Sequence, residues 1–299
     1  MIIVQLLGGL GNQMFQYALG KHLAMLNNTE LKLDLSVLEN RVPFKKGFVF
    51  RNYDLDIFDI NPSIATSGDI PLYPSHLKIN SIPHRLYNLI KIRSRGYKYL
   101  LEWRLNSYKT ILYNDKILKQ RGNLYLAGYW ASPKYFQGIE ELVRKDFKFK
   151  EGLEVKCEDI KNKIISSNSV CITVRRTDFL VVKAMGFHGL EYFNKAVSII
   201  SERIANPVFF IFSDDMDWCK ANIKLEQPYH FVDEEYYGEK FKDKLQMMSL
   251  CKHFINANSN FAWWAAWLSE NKEKLIIVPK NYYHDRDARD LIPDDWIQV

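Results

Sequence analysis

The chain opens on an apolar run, Ile2-Ile3-Val4, that passes through a glycine turn, Gly8-Gly9-Leu10-Gly11, into a stretch with Phe15, Leu19, Leu23 and Leu26 at four- and three-residue steps. Steps of three and four place side chains on one helical face, so the opening predicts a strand, a tight loop and a helix. Leu31-Lys32-Leu33-Asp34-Leu35 alternates as a strand does and continues this into a β-α-β unit. From Pro62 to Pro83 the chain is rich in Pro, Ser and Asn and has no period, which predicts loop or short helices. A basic stretch that predicts helix follows. Leu124 to Trp130 then predicts a strand, Pro133 to Phe147 a helix, and Lys148 to Gly152 a charged linker.

The second half is more regular. Apolar runs at Val170–Val174, Val208–Phe212, His230–Val232, Phe254–Ala257 and Leu275–Val278 predict strands. Helical stretches, Leu190–Ile204, Met216–Ile223, Glu239–Leu250 and Asn260–Glu270, lie between them. Strands spaced by helices predict a parallel sheet with crossover connections, and ligands bind beyond the carboxyl ends of such strands. The expected organisation is two α/β domains, residues 1–149 and 150–299, a length at which each can bury its own core.

Composition adds direction. A net charge of +6 suits anionic partners such as phosphates, nucleotides, an acidic membrane surface or nucleic acid. The excess gathers between Arg85 and Arg121, where Lys and Arg interleave with Tyr87, Tyr97, Tyr99, Trp103, Tyr108 and Tyr113. That stretch can rest on anionic lipid headgroups, or it can be an ordinary solvated face. Cys157, Cys171, Cys219 and Cys251 are widely separated, which predicts a reducing compartment and no zinc site. With no signal-like start and no long apolar span, a cytoplasmic protein is expected, at most peripheral to a membrane.

Four strand ends carry candidate chemistry. The glycine turn lets backbone approach a ligand and precedes a helix N-terminus whose N–H groups attract an anion, although many such turns bind nothing. Asn12, Gln13 and Met14 stand where the dinucleotide fingerprint needs glycine, and no Gly-Lys-Ser/Thr follows. Arg175-Arg176, with Thr173 before them and Asp178 close behind to orient one of them, form a fork suited to a diphosphate; an exposed, salt-bridged pair is the plainer account. Phe212-Ser213-Asp214-Asp215 offers carboxylates to a ribose or a base edge. Asn258-Ser259-Asn260 can cap a helix and leave N–H groups for phosphate, while Phe261, Trp263, Trp264 and Trp267 behind it read as core. Asp-x-Asp pairs occur at Asp54/Asp56, Asp215/Asp217 and Asp285/Asp287, the form in which some sugar transferases hold a divalent ion. The paired arginines provide a metal-free way to balance the same charge, so no metal and no cofactor are expected.

With these residues in view, the chain resembles the bacterial α1,2-fucosyltransferase family, which moves L-fucose from GDP-fucose to a galactoside. Gly8 to Ala18, Arg175-Arg176-Thr177-Asp178, Phe212 to Asp215 and Ala257 to Leu268 are similar to that family's motifs, in family order, and Gly128-Tyr129-Trp130 with Lys134-Tyr135-Phe136 also fits. One departure stands out, because the family's arginine motif begins with histidine and this chain has Thr173. The resemblance implies a GT-B fold, two Rossmann-like domains facing a cleft, and an inverting, metal-independent transfer. It implies Arg175 at the diphosphate, Asn12 reaching over from the glycine loop, and donor contacts from Gly9, Gly11, Gln13, Thr173, Arg176, Ser213, Asp214, Asn258, Ser259 and Asn260. His188, in Gly186-Phe187-His188-Gly189, is a candidate base or a solvated loop residue, with Asp178 as the fallback. The expected partners are a nucleotide sugar and a galactose-terminated glycan, such as a lipid-linked unit of a surface polysaccharide (O-antigen), with membrane contact through 85–121 and no nucleic acid. Three alternatives remain open: another nucleotide-sugar donor, a glycan-binding protein without catalysis, and a nucleic-acid-binding protein.

Overall fold

The computed structural model describes residues 1–41, 49–70, 96–102, 112–177, 186–283 and 287–299. They form two compact units. Met1–Asp56 and Leu112–Val143, with the described part of Ile60–Tyr108, make the first; Ile57–Asp59 and Arg144–Val299 belong to the second.

The first unit holds a five-stranded sheet of β1 (Ile2–Gln5), β2 (Leu31–Asp34), β3 (Ser63–Ile64), β4 (Lys98–Leu101) and β5 (Leu124–Ala127), in the order β3-β2-β1-β5-β4 and parallel throughout. β1 is central and covered on both faces, which is why it reads as an unbroken apolar run rather than an alternating one. The helix Leu10–Leu26 packs on β1 and β2 so closely that a methyl group at Gly20 would come within 2.6 Å of the Val4 side chain. Three expectations need correction. β4 is a strand inside the basic stretch that predicts helix; its exposure falls from Lys98 to buried Leu100 and Leu101 with no two-residue alternation to mark it as a strand. The strand from Leu124 stops at Ala127, because the buried Glu102 carboxylate accepts from the N–H groups of Tyr129 (2.6 Å) and Trp130 (3.0 Å) and turns the chain. The helix over Pro133–Phe147 is two pieces, a 3-10 turn Pro133–Phe136 and an α-helix Glu140–Asp146, separated at the extended Gln137.

The second unit holds six parallel strands, β6 (Asn168–Val174), β7 (Pro207–Ser213), β8 (Tyr229–Phe231), β9 (His253–Ile255), β10 (Ile276–Val278) and β11 (Ile297–Gln298), ordered β11-β10-β9-β6-β7-β8. Five match the predicted runs to within two residues at either end; β11 is two residues long and carries no pattern. Val170, Ile172, Phe209, Ile211 and Ile255 form the core with Phe193, Ala196 and Ile200 of the helix Leu190–Arg203. The helix expected from Glu239 begins at Lys242, since Lys240 and Phe241 take positive φ values of 53° and 60°. The charged stretch after Phe147 is no free linker: Asp59 N–H donates to Lys148 O at 2.7 Å and Lys150 N–H to Ile57 O at 3.0 Å.

All four cysteines are buried free thiols. Among the described residues no helix is long and apolar enough to cross a membrane. Of the basic stretch proposed for membrane contact, 85–95 and 103–111 lie outside the described residues, as does much of Pro62–Pro83.

Candidate functional site

In the second unit β6 has β7 on one side and β9 on the other, so the strand order reverses there and the loops beyond the strand ends part to leave room for a ligand. Asp214, at the end of β7, organises the arginine loop after β6. Its Oδ1 accepts from the Arg176 N–H at 2.8 Å, while Oδ2 accepts from the Thr177 hydroxyl at 2.5 Å and pairs with Arg175 Nε at 3.2 Å. The Arg175 side chain remains 29% exposed, so a charge is held in place at a strand end with a face open to solvent.

Arg176 is placed differently. Its Nε pairs with Asp215 Oδ2 at 3.0 Å, and its guanidinium lies 4.6 Å from the Phe187 ring centroid and 4.1 Å from that of Trp218. Asp215 in turn caps the helix Met216–Asn222 through the Trp218 N–H. Two rings and a carboxylate make Arg176 a structural pin as well as a charge. Arg176→Met is expected to cost about 2 kcal/mol of unfolding free energy, read by urea titration of tryptophan fluorescence, and Lys should restore little because it lacks the planar stacking face.

Thr173, where the motif it resembles has histidine, is buried, and its hydroxyl accepts from the Ala257 N–H at 2.9 Å, which ties the end of β6 to the loop after β9. Within that loop Asn258 is buried and donates to Gly186 O at 3.0 Å, joining it to the segment that carries His188. Ser259 caps the helix Asn260–Leu268, and Asn260 accepts from the Tyr283 hydroxyl at 3.5 Å. His188 sits just before the helix Leu190–Arg203, its ring 5.6 Å from that of Tyr192. Trp263 and Trp264 are fully buried, and Trp267 lies under Arg144, so the aromatic run is core as expected. Asp178 lies outside the described residues; among those described, Asp214 and Asp215 pair with the two arginines.

Ser213 also belongs to this corner, with an addition that sequence reading missed. Its hydroxyl accepts from the Asp215 N–H, and its carbonyl accepts from the Tyr237 hydroxyl at 2.8 Å and from Lys244 Nζ at 3.1 Å. Burial raises the Tyr237 pKa. Lys244 lies on a helix otherwise rich in buried residues, and only that neighbourhood, Leu245, Met247 and Met248, hinted that it turns inward.

In the first unit the glycine loop follows β1, which stands where the strand order reverses between β2 and β5. Gly8 has φ +78°, and a methyl group there would lie 2.2 Å from Asn12 Nδ2, so the Asn12 amide is seated against the Gly8 backbone. Gly9 begins the helix without a side-chain cap, and Gly11 follows on its first turn. Gln13 is fully buried: its Nε2 donates to Gly8 O and Asn52 O, and its Oε1 accepts from the Asp54 N–H. Both ends of that amide shape the loop rather than face outward. Arg51, which sequence reading also passed over, has its Nε 3.9 Å from where a Gly9 methyl would sit.

Two residues of the Asp-x-Asp pairs have other partners. Asp215 is the helix cap and arginine partner described above, and Asp287 pairs with Arg289. Among the described residues no three His, Cys, Asp or Glu side chains gather as metal ligands.

The sequence profile of glycosyl transferase family 11 matches residues 1–299. An α-1,2-colitosyltransferase of Escherichia coli is 29% identical, covering 100% of this chain and 98% of its own. The O-antigen biosynthesis glycosyltransferase WbnK of Escherichia coli is 27% identical, with 98% of each covered. The crystal structure of the fucosyltransferase NodZ from Bradyrhizobium superposes with a TM-score of 0.51 over 89% of this chain and 90% of that one, at 13% identity. That last likeness concerns the fold alone, and it agrees with the GT-B class of two Rossmann-like α/β units.

Proposed function

We propose that this chain, which belongs to glycosyl transferase family 11, moves L-fucose from GDP-fucose to the 2-hydroxyl of a galactoside in surface-polysaccharide synthesis, with inversion. The observation that carries the reading is Arg175, held by Asp214 at the end of the central strand beside the Ser259-capped helix. In the transfer, the acceptor oxygen bonds to the sugar's anomeric carbon as the bond to the diphosphate breaks, and a base takes the hydroxyl proton. Arg175 balances the charge that develops on the leaving diphosphate. His188 is the base in this scheme, and Asn12 of the glycine loop is a second group acting on turnover. Ser213, Asp214, Asn258, Ser259 and Asn260 shape the donor site, with Arg176 and Thr173 holding its walls, while Gln13 holds the glycine loop of the first unit.

A second donor deserves the same test, because a relative over the full length is named for colitose, which is L-fucose lacking its 3-hydroxyl. Thr173 bears on the choice, since its hydroxyl serves the Ala257 N–H where the family histidine would stand. Calorimetric titration with GDP, UDP and dTDP should show GDP binding best; another nucleotide binding best means that the donor is misassigned. GDP-fucose and GDP-colitose offered in competition then decide the sugar. EDTA should leave turnover within about twofold, because an arginine does the charge balancing. Strong inhibition would return the Asp-x-Asp pairs to consideration.

A further inference from the structure

Lys244 stands in the corner between β7 and the helix Lys242–Leu250. Its Nζ donates to Ser213 O at 3.1 Å and lies 4.0 Å from the centroid of the Tyr237 ring. Ser213 is the residue before Asp214, the carboxylate that holds Arg175, so two cations sit one residue apart along the end of a strand. An ammonium has three donors and no acceptor. Here the ammonium gives one hydrogen to a backbone carbonyl and turns its charge toward a ring face, an arrangement that leaves capacity for an anion.

The groups that face Lys244 define its charge. Desolvation lowers its pKa to about 8, and Arg175 pushes in the same direction; Asp214, Cys171 and Glu234 pull it back upward. Two positive groups close together without an anion disfavour each other, and an arriving dianion relieves both. Nothing in the reaction scheme above uses this amine.

We propose that Lys244 is a proton-linked positioning residue of the donor site, whose ammonium becomes fully charged when a nucleoside diphosphate binds beside Arg175. The inference rests on the donor-site reading of Arg175. No covalent step is involved: the amine takes its proton from solvent as the diphosphate arrives and returns it as the nucleotide leaves. A group whose pKa is higher in the complex than in the free protein favours binding below its free value and loses that advantage as pH rises through its bound value. Nucleotide affinity therefore falls with rising pH, beginning near pH 8.

The test is calorimetric titration of GDP into the intact protein at pH 8 in HEPES and in Tris, whose ionisation enthalpies differ. Wild type is expected to take up about half a proton, and its affinity to fall about threefold between pH 7 and pH 8.5. Lys244→Met should bind more weakly at pH 7 and take up none; Lys244→Arg should keep the pH 7 affinity and also take up none. A melting curve for each variant separates these effects from misfolding, and the wild-type proton count needs no variant at all. Wild type without buffer-dependent heat, or Lys244→Arg with the same uptake, overturns the proposal. Arg175→Ala keeps the two readings apart. If it binds GDP as wild type does, or if wild type binds no GDP, the donor site itself is misassigned; if its affinity collapses while wild type takes up no proton, Lys244 alone is.

Discussion

Arg175→Ala is expected to lower kcat by about a thousandfold and to leave the fold intact. The catalytic argument is electrostatic. A sugar nucleotide leaves as a diphosphate, charge grows on the departing oxygen, and a fixed guanidinium at that point stabilises the transition state more than the ground state. The stability argument is local. Asp214 loses one partner but keeps the Arg176 N–H at 2.8 Å and the Thr177 hydroxyl, so its carboxylate is not stranded. Arg175 is also 29% exposed, so truncation opens no core cavity. Lys at this position keeps the charge and loses the fork, and about a tenfold to hundredfold deficit is expected. Turnover by Arg175→Ala near the wild-type value, in a radiolabelled-donor assay, would remove the residue from the mechanism.

Asn12→Ala carries the next largest effect, a fall in kcat of about a hundredfold with nucleotide affinity changed less than twofold. Its amide is placed by Gly8, whose φ of +78° and lack of a side chain leave the space that Asn12 Nδ2 occupies. Gly8→Ala should therefore reproduce the loss without touching Asn12 itself, because the new methyl would lie 2.2 Å from that nitrogen. It should also lower stability by about 1–2 kcal/mol for the left-handed backbone. Matching kcat losses in the two variants support the seating of the amide as the cause. Should Asn12→Ala weaken only nucleotide binding, the glycine loop is a nucleotide cradle rather than part of the turnover machinery.

The most legible elements were those in which one force acts alone. β1, β6, β7 and β9 are buried on both faces, so their apolar runs needed no partner to be recognised. Edge strands are harder. Ser63–Ile64 and Ile297–Gln298 are two residues each and owe their extended form to the neighbour they pair with, and Lys98–Leu101 runs from exposed to buried with no alternation to mark it. The break at Gln137 and the late start of the helix at Lys242 are backbone choices that composition does not encode.

The candidate site divides in the same way. From its own residues the chain declares the glycine loop, the arginine pair, the acidic strand end and the capped helix, because strand-to-loop transitions carry their signals locally. Which arginine is presented and which is pinned is another matter. Arg175 and Arg176 are neighbours with identical chemistry, and only the packing of Phe187 and Trp218 around one of them tells them apart. Likewise Gln13 turns inward to the Asn52–Asp54 segment and Thr173 to Ala257, while Lys244 enters the corner from a helix more than thirty residues beyond Ser213. Sequence alone determined which chemical groups stand at the strand ends, because a parallel α/β chain writes its period and its turns into neighbouring residues. Tertiary structure alone decided which of those groups face outward, since a side chain's exposure depends on partners that the chain brings in from far along its length.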